Sequence, residues 1–135
     1  MEEIDLSNVE SGKKLDVPGS FNVAVEKVLE KTSLVSGNKM LKVKFFILDQ
    51  NKYSCYCWDN FVLIESMLWK LKKFLKIIGE PCEGKVALNP KNWKDKHLKI
   101  YGIMREYNGR NEFNVQGYDT ADAAMKETEI ENVEF

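Results

Sequence analysis

The chain has 135 residues, of which 44% are hydrophobic and 30% charged, a composition typical of one globular domain. It contains no apolar run near the roughly 20 residues of a membrane-spanning helix. Its first ten residues, MEEIDLSNVE, are acidic and therefore argue against a secretory signal peptide, which is basic and then apolar. The cysteines, Cys55, Cys57 and Cys82, form no CxxC pair, and we expect free, buried thiols in a reducing cytoplasm.

The net charge of −1 averages three unlike regions of the chain. Residues 1–16 carry five acidic and two basic side chains, residues 17–118 carry 10 acidic and 17 basic ones, and residues 119–135 carry six acidic and one basic. A basic body between acidic ends favours a polyanionic partner. We therefore divide the chain into an acidic N-terminal arm (1–16), a nucleic-acid-binding domain (17–118) and an acidic C-terminal tail (119–135).

The first half of the body predicts three strands. Apolar and polar residues alternate in FNVAVEKVLEKTS (21–33), which follows a Pro-Gly turn, and again in KMLKVKFFILD (39–49). A turn at 36–38 separates these segments, and a tight hairpin at 50–51 leads into KYSCYCWDNF (52–61). Short connections favour antiparallel neighbours, so we expect one continuous meander.

The second half predicts a helix followed by a hairpin. In IESMLWKLKKFLKIIG (64–79), apolar residues recur at helical spacing, and Gly79 followed by Pro81 is expected to end the helix. NPKNWKDK (89–96) predicts a loop or one helical turn. HLKIYGIMREY and NEFNVQGY then flank Asn108-Gly109, a dipeptide typical of hairpin turns.

Three strands, a helix and two strands are the connectivity of the OB-fold. We therefore expect an all-β domain with one helix: a five-stranded Greek-key barrel in which the helix lies between the third and fourth strands. An SH3-like barrel would lack the helix, and a ferredoxin-like fold would need two. The acidic tail is expected to be flexible.

Cations alternate with aromatic residues on several predicted strands, as single-strand binding requires. Lysine and arginine track phosphates, while flat rings stack on bases. The alternatives are that Trp58 and Tyr101 fill the core, or that the third strand is reversed and presents Tyr53 instead. The candidate nucleic-acid-binding residues are Lys42, Lys44, Tyr56, Trp58, Lys99, Tyr101, Arg105, Tyr107 and Arg110.

Catalytic signatures are missing from the sequence. There is one histidine, and no GxxxxGK(S/T), HExxH or GxSxG motif. No nucleophile is paired with a base. Cys55 and Cys57 lie two residues apart, but with His97 they supply only three of the four ligands of a structural zinc site. We expect a non-catalytic protein without metal or cofactor.

Four stretches resemble a small phage protein family often labelled a domain of unknown function. They are DVPGSFNVAVEKV, WDNFVL, MLWKLKKFLKIIGE and LKIYGIMREYNGRNEFNVQGY, and together they cover roughly residues 1–118. Members of that family look like replication-module single-stranded-DNA-binding proteins. The resemblance implies a protein that works on single-stranded DNA in the host cell cytoplasm.

The tail, TADAAMKETEIENVEF, is similar to the acidic, phenylalanine-terminated tails of bacterial single-stranded-DNA-binding proteins. An acidic tail competes with DNA for a basic groove, and an aromatic residue with acidic neighbours suits a basic, apolar pocket on a partner. The alternative is an acidic end without a partner. The candidate partner-binding residues are Glu131, Glu134 and Phe135.

The sequence thus predicts a single-stranded DNA-binding protein of phage replication or recombination. It would protect single-stranded DNA and recruit replication or recombination proteins through its tail. Homo-oligomerisation is compatible with this function. The alternative is a protein-interaction adaptor for a helicase or recombinase, to which DNA binding is incidental.

Overall fold

The computed structural model describes residues 3, 12–32, 34, 36–49 and 55–121. Within them, a six-stranded mixed sheet curls into a half-barrel, and one α-helix, α1 (Leu68–Ile78), packs inside it. Two 3₁₀ turns, Glu65–Met67 and Pro90–Trp93, flank the helix region. The strands are β1 (Lys13–Lys14), β2 (Gly19–Thr32), β3 (Lys39–Ile47), β4 (Cys55–Val62), β5 (His97–Tyr107) and β6 (Arg110–Asp119).

The strand order across the sheet is β1-β4-β3-β2-β5-β6. β2, β3 and β4 form an antiparallel meander, after which the chain passes through α1 and places β5 antiparallel to β2. Four strands in the spatial order β5-β2-β3-β4 are a Greek key. β6 then pairs with β5 through a hairpin.

The sheet contains one strand more than the five that the sequence predicted. The additional strand is β1, whose Lys13 and Lys14 pair in parallel with Cys55 and Tyr56 at the edge of β4. An edge strand offers unpaired N–H and C=O groups to any neighbouring extended segment, and two residues suffice to cover part of it. The segment predicted as an N-terminal arm therefore contributes to the sheet.

A β-bulge in β2 reverses the faces of that strand. Val25 lies opposite Phe45, but the next paired residue is Lys27, opposite Lys44, so Glu26 is the extra residue. Inserting one residue shifts the side-chain alternation by one position. Lys27 consequently points to the outer face of the sheet, whereas strict alternation from Phe21 places it on the core face.

The helix is shorter than its apolar pattern predicted. Residues 65–67 form a 3₁₀ turn, and Leu68 at the start of α1 is 43% exposed. Gly79 adopts a left-handed conformation (φ 80°), and the N–H of Glu80 donates to the Leu75 carbonyl, which ends the helix as predicted. The buried residues of α1 are Leu71, Phe74, Leu75 and Ile78.

Aromatic rings from five elements form the centre of the core. Phe74 of α1 lies 5.0 Å from Phe61 of β4 and 5.4 Å from Trp93, measured between ring centres. Tyr118 of β6 lies 5.5 Å from Phe74, and Phe45 of β3 lies 6.2 Å from it. These contacts fix the helix against the concave face of the sheet.

The last hairpin has the geometry that its turn residues predict. Asn108 and Gly109 both adopt positive φ, 50° and 80°, as a two-residue turn between twisted strands requires. β6 extends to Asp119, and Ala121 is buried, so the folded body includes residues assigned to the tail from sequence. The hairpin predicted at 50–51 lies outside the described residues.

Within the described part of the chain, no helix combines the length and the apolarity needed to cross a membrane.

Candidate nucleic-acid interface

Lysine ammonium groups surround the Trp58 ring on the outer face of β2, β3 and β4. The Nζ of Lys42 lies 4.8 Å from the ring centre, that of Lys27 lies 5.5 Å from it, and that of Lys44 lies 5.9 Å from it. The register explains the cluster, because Lys44 lies directly opposite both Trp58 on β4 and Lys27 on β2. Cation–π attraction holds the lysines beside the ring.

Two predicted site residues are buried beneath this cluster. Lys44 is 2% exposed and Tyr56 is 5% exposed. The Nζ of Lys44 lies 3.0 Å from Oε2 of Glu26 and 4.5 Å from the centre of the Tyr56 ring. A buried ammonium paired with a carboxylate is poorly placed to neutralise a phosphate, so we expect both residues to support Trp58 and not to contact a ligand directly.

Lys27 belongs to the cluster but was not among the residues predicted from sequence. It is exposed, and it reaches the outer face only because of the bulge at Glu26. A β-bulge leaves no reliable trace in an alternating pattern, since one extra residue in a long strand can be placed at several positions.

A groove runs between the edges of β4 and β6, beside Trp58. Trp58 and Lys42 line one side, and Tyr107 and Asn114 line the other. The Nδ2 of Asn114 donates to the Tyr107 hydroxyl at 3.1 Å, and Gln116 Nε2 donates to Asn114 Oδ1. The structure thus brings together three predicted residues, Lys42, Trp58 and Tyr107. It adds amide groups capable of hydrogen bonding to base edges.

The remaining predicted residues lie on the outer face of β5 and on the hairpin. Tyr101 is 50% exposed, and its ring covers Gly117, where a Cβ would come within 2.2 Å of the ring. Lys99 and Arg105 alternate with Tyr101 along the same face. Arg110 is exposed opposite Tyr107. Among the described residues, no contact joins Tyr101 to Trp58 or to the lysines around it. The predicted binding residues therefore lie on two separate surfaces.

Asp59, in the WDNF motif, connects three elements of the fold. Its Oδ1 accepts a hydrogen bond from Lys70 of α1 at 2.8 Å, and its other oxygen accepts one from the Tyr118 hydroxyl on β6. Burial, and then the charge and hydrogen bond of Asp59, raise the pKa of Tyr118 well above its usual value. Burial and the same carboxylate also raise the pKa of Cys57. We therefore assign Asp59 a structural role, in which it connects β4 to α1 and β6.

Other predicted features fall in different places. Cys55 and Cys57 are buried, as expected for small apolar side chains, and Cys82 is partly exposed. Among residues that the structure describes, no three His, Cys, Asp or Glu side chains are grouped so as to hold a metal ion. Glu131, Glu134 and Phe135 lie outside the described residues.

Comparison with known proteins identifies a family but no activity. A sequence model of the family described as "Protein of unknown function (DUF669)" matches residues 2–127, which include every described strand and the helix. No curated protein matches the chain.

Proposed function

The chain belongs to this family of proteins of unknown function, and we propose that it is a non-catalytic protein that binds single-stranded DNA. The observation that carries the proposal is the Trp58 ring with the ammonium groups of Lys27 and Lys42 within 5.5 Å of its centre. A partly exposed ring offers a stacking surface for one base, worth roughly 1–3 kcal/mol, and the flanking lysines attract its phosphates.

The topology supports an OB-type assignment for the half-barrel. An OB-fold is a partly open Greek-key barrel that binds oligonucleotides on the face of its second and third strands, between two of its loops. If β2 counts as the first strand, the binding face is that of β3 and β4, where Trp58 and Lys42 lie. The two loops are then the connection between β2 and β3 and the hairpin turn at 108–109.

The chemistry of the surface favours single strands over duplexes. Ring faces of bases are accessible only when a strand is unpaired, whereas a duplex presents mainly phosphates to a surface. The groove beside Trp58 adds Asn60 and Asn114, whose amides suit the hydrogen-bonding edges that pairing would occupy. We propose that a strand crosses the outer face from Lys27 towards Tyr107.

We further propose that the protein acts in phage replication or recombination in the host cytoplasm, as the sequence resemblance implies. Its acidic C-terminal residues, including Glu131, Glu134 and Phe135, would recruit replication proteins. Self-association is compatible with this role.

A fluorescence titration with an oligo-dT strand tests the proposal. Trp93 is 1% exposed and Trp69 lies on α1, so quenching on the β3–β4 face should come from Trp58 and disappear in Trp58→Phe. Affinity should fall steeply as salt rises, because binding releases counterions from the strand. Equal affinity for a blunt duplex, or an absence of binding at low salt, would overturn the proposal and favour a protein-interaction adaptor.

A further inference from the structure

An apolar groove runs along one side of α1, next to the core residues Leu71 and Leu75. Trp69 is 65% exposed and Leu68 is 43% exposed, although side chains of this size are usually covered. The groove lies between the helix and the segment before the second 3₁₀ turn, and its volume is about 510 Å³. Its lining includes Leu63, Leu68, Trp69, Cys82, Val86 and Leu88.

Three exposed lysines lie on α1, the helix that forms one wall of the groove. Lys72 lines it, and Lys73 and Lys76 are exposed on the same helix. The Nζ of Lys72 lies 3.3 Å from Glu83 Oε2. Lys73 and Lys76 form no ion pair with an acidic side chain of the described residues. An apolar groove beside unpaired lysines suits a segment that combines apolar side chains with carboxylates.

We propose that this groove holds the C-terminal segment of the same molecule, residues 122–135. The segment ends in KETEIENVEF, where Ile130, Val133 and Phe135 are interspersed with four glutamates. The segment therefore combines apolar side chains, which suit the groove, with carboxylates, which suit the neighbouring lysines. Docking would cover Trp69 and place carboxylates near Lys73 and Lys76.

The position of the last described residues makes the contact reachable. Tyr118 packs against Phe74 of α1 with 5.5 Å between ring centres, so β6 brings the chain to the helix before residue 122. Fourteen further residues span up to about 45 Å when extended, which exceeds the helix diameter of roughly 10–12 Å several-fold. A short tether also gives an effective concentration near 1 mM, so even weak affinity suffices for docking.

Cys82 supplies a built-in reporter of occupancy. It lies in the groove and is partly exposed, whereas Cys55 and Cys57 are buried. The test measures the rate at which a chromogenic disulfide reagent modifies Cys82 in the full-length protein without DNA, with Cys82→Ser identifying the signal. For a tail–groove Kd of about 0.1 mM, the tethered segment should slow the reaction roughly tenfold.

Two full-length variants should remove this protection. One carries Ile130→Ser, Val133→Ser and Phe135→Ser, which removes the apolar anchors without changing charge. The other carries Lys73→Glu and Lys76→Glu, with Lys91→Glu and Lys94→Glu as the matched control at exposed positions outside α1 and outside the groove lining. A synthetic peptide of residues 122–135 should restore protection to the serine variant.

Three outcomes would overturn the proposal. Cys82 reacting at the same rate in the parent and the serine variant would show that the segment does not cover the groove. Protection that grows with protein concentration would assign the groove to a second copy. Protection unaffected by Lys73→Glu and Lys76→Glu would deny the charge complementarity. Because no arm contains DNA, a failure here is distinct from a failure of the proposed function.

Discussion

Lys42 on β3 holds its Nζ 4.8 Å from the centre of the Trp58 ring on β4, although the residue directly opposite Lys42 is Asn60. The contact is therefore diagonal, between neighbouring rows of the antiparallel ladder. Diagonal neighbours lie within reach of long and aromatic side chains, so the sheet places cations on both sides of one ring. The same arrangement leaves part of the ring accessible to a ligand.

Replacing Trp58 with alanine should weaken binding to oligo-dT by roughly 1–3 kcal/mol, which is the contribution of one stacked base. The measurement is a fluorescence anisotropy titration with a labelled strand. Trp58→Phe should retain part of the affinity because it keeps a flat ring. Trp69→Phe, which keeps a ring at the groove beside α1, is the control for Trp58→Phe and should bind as the parent does. A Trp58→Ala protein that fails to fold would assign the ring to the core.

Removing the charge of Lys42 should reduce the salt dependence of binding. If Lys42 neutralises one phosphate, Lys42→Gln should lower the slope of log affinity against log salt by about 0.7. Lys91→Gln on the exposed 3₁₀ turn is the matched control and should leave the slope as in the parent. A slope that is identical in the two variants would show that Lys42 only supports the ring.

The strand and turn pattern of the body was predictable because its signals are local. Alternation in β2 and β3, helical spacing in α1 and the Asn108-Gly109 turn each depend on neighbouring residues. The short strand β1 was not predictable, since two lysines carry no strand pattern and their pairing depends on a distant edge. The helix also begins later than predicted. The 3₁₀ turn at Glu65–Met67 has nearly the same apolar spacing as an α-helix, so the sequence pattern does not distinguish the two.

The candidate site was predictable in composition and less so in geometry. Trp58 and Lys42 emerge from alternation on adjacent strands, and the register places them side by side. Alternation predicts the face on which a side chain lies but not how exposed it is to solvent. It therefore did not distinguish the buried Lys44 from the half-exposed Lys42. Lys27 was missed because the bulge at Glu26 shifts its face.

Tyr101 tests whether a bound strand extends onto β5. Its ring is half exposed above Gly117 and has no described contact with the Trp58 cluster. If the strand reaches it, Tyr101→Ala should weaken binding of a long oligo-dT by about 1–3 kcal/mol and leave a short one unaffected. Titrating both lengths with the same variant provides the internal control. Equal binding of both lengths by parent and variant would confine the site to the face of β3 and β4.

Removing one partner of the ion pair between Asp59 and Lys70 should strongly destabilise the fold. Their side chains are 12% and 18% exposed, so removing one partner leaves a largely buried charge. Lys70→Met should lower the free energy of unfolding by about 3 kcal/mol in urea denaturation. The pair of Lys72 and Glu83 has the same chemistry but is exposed, and Lys72→Met should cost at most about 1 kcal/mol. Equal losses would show that burial does not strengthen the first pair.

Alkaline pH should destabilise the protein through Tyr118 and Cys57. Burial raises the pKa of both groups in the folded state, so the unfolded chain loses these protons first. Their contribution to stability is therefore complete below the unfolded values, about 8.5 for cysteine and 10 for tyrosine, and is lost as pH rises further. Each group should lower the free energy of unfolding by up to about 1.4 kcal/mol per pH unit.

Urea denaturation at intervals from pH 7 to pH 11 measures this slope. Tyr118→Phe should be less stable at pH 7, because Asp59 loses a hydrogen bond, yet its stability should fall less steeply above pH 10. Lysine deprotonation is common to both proteins and cancels in the difference. Tyr107→Phe removes an exposed hydroxyl on the hairpin and should retain the parent slope. If Tyr118→Phe and Tyr107→Phe lose stability in parallel up to pH 11, burial and the contact with Asp59 do not hold the proton on the Tyr118 hydroxyl.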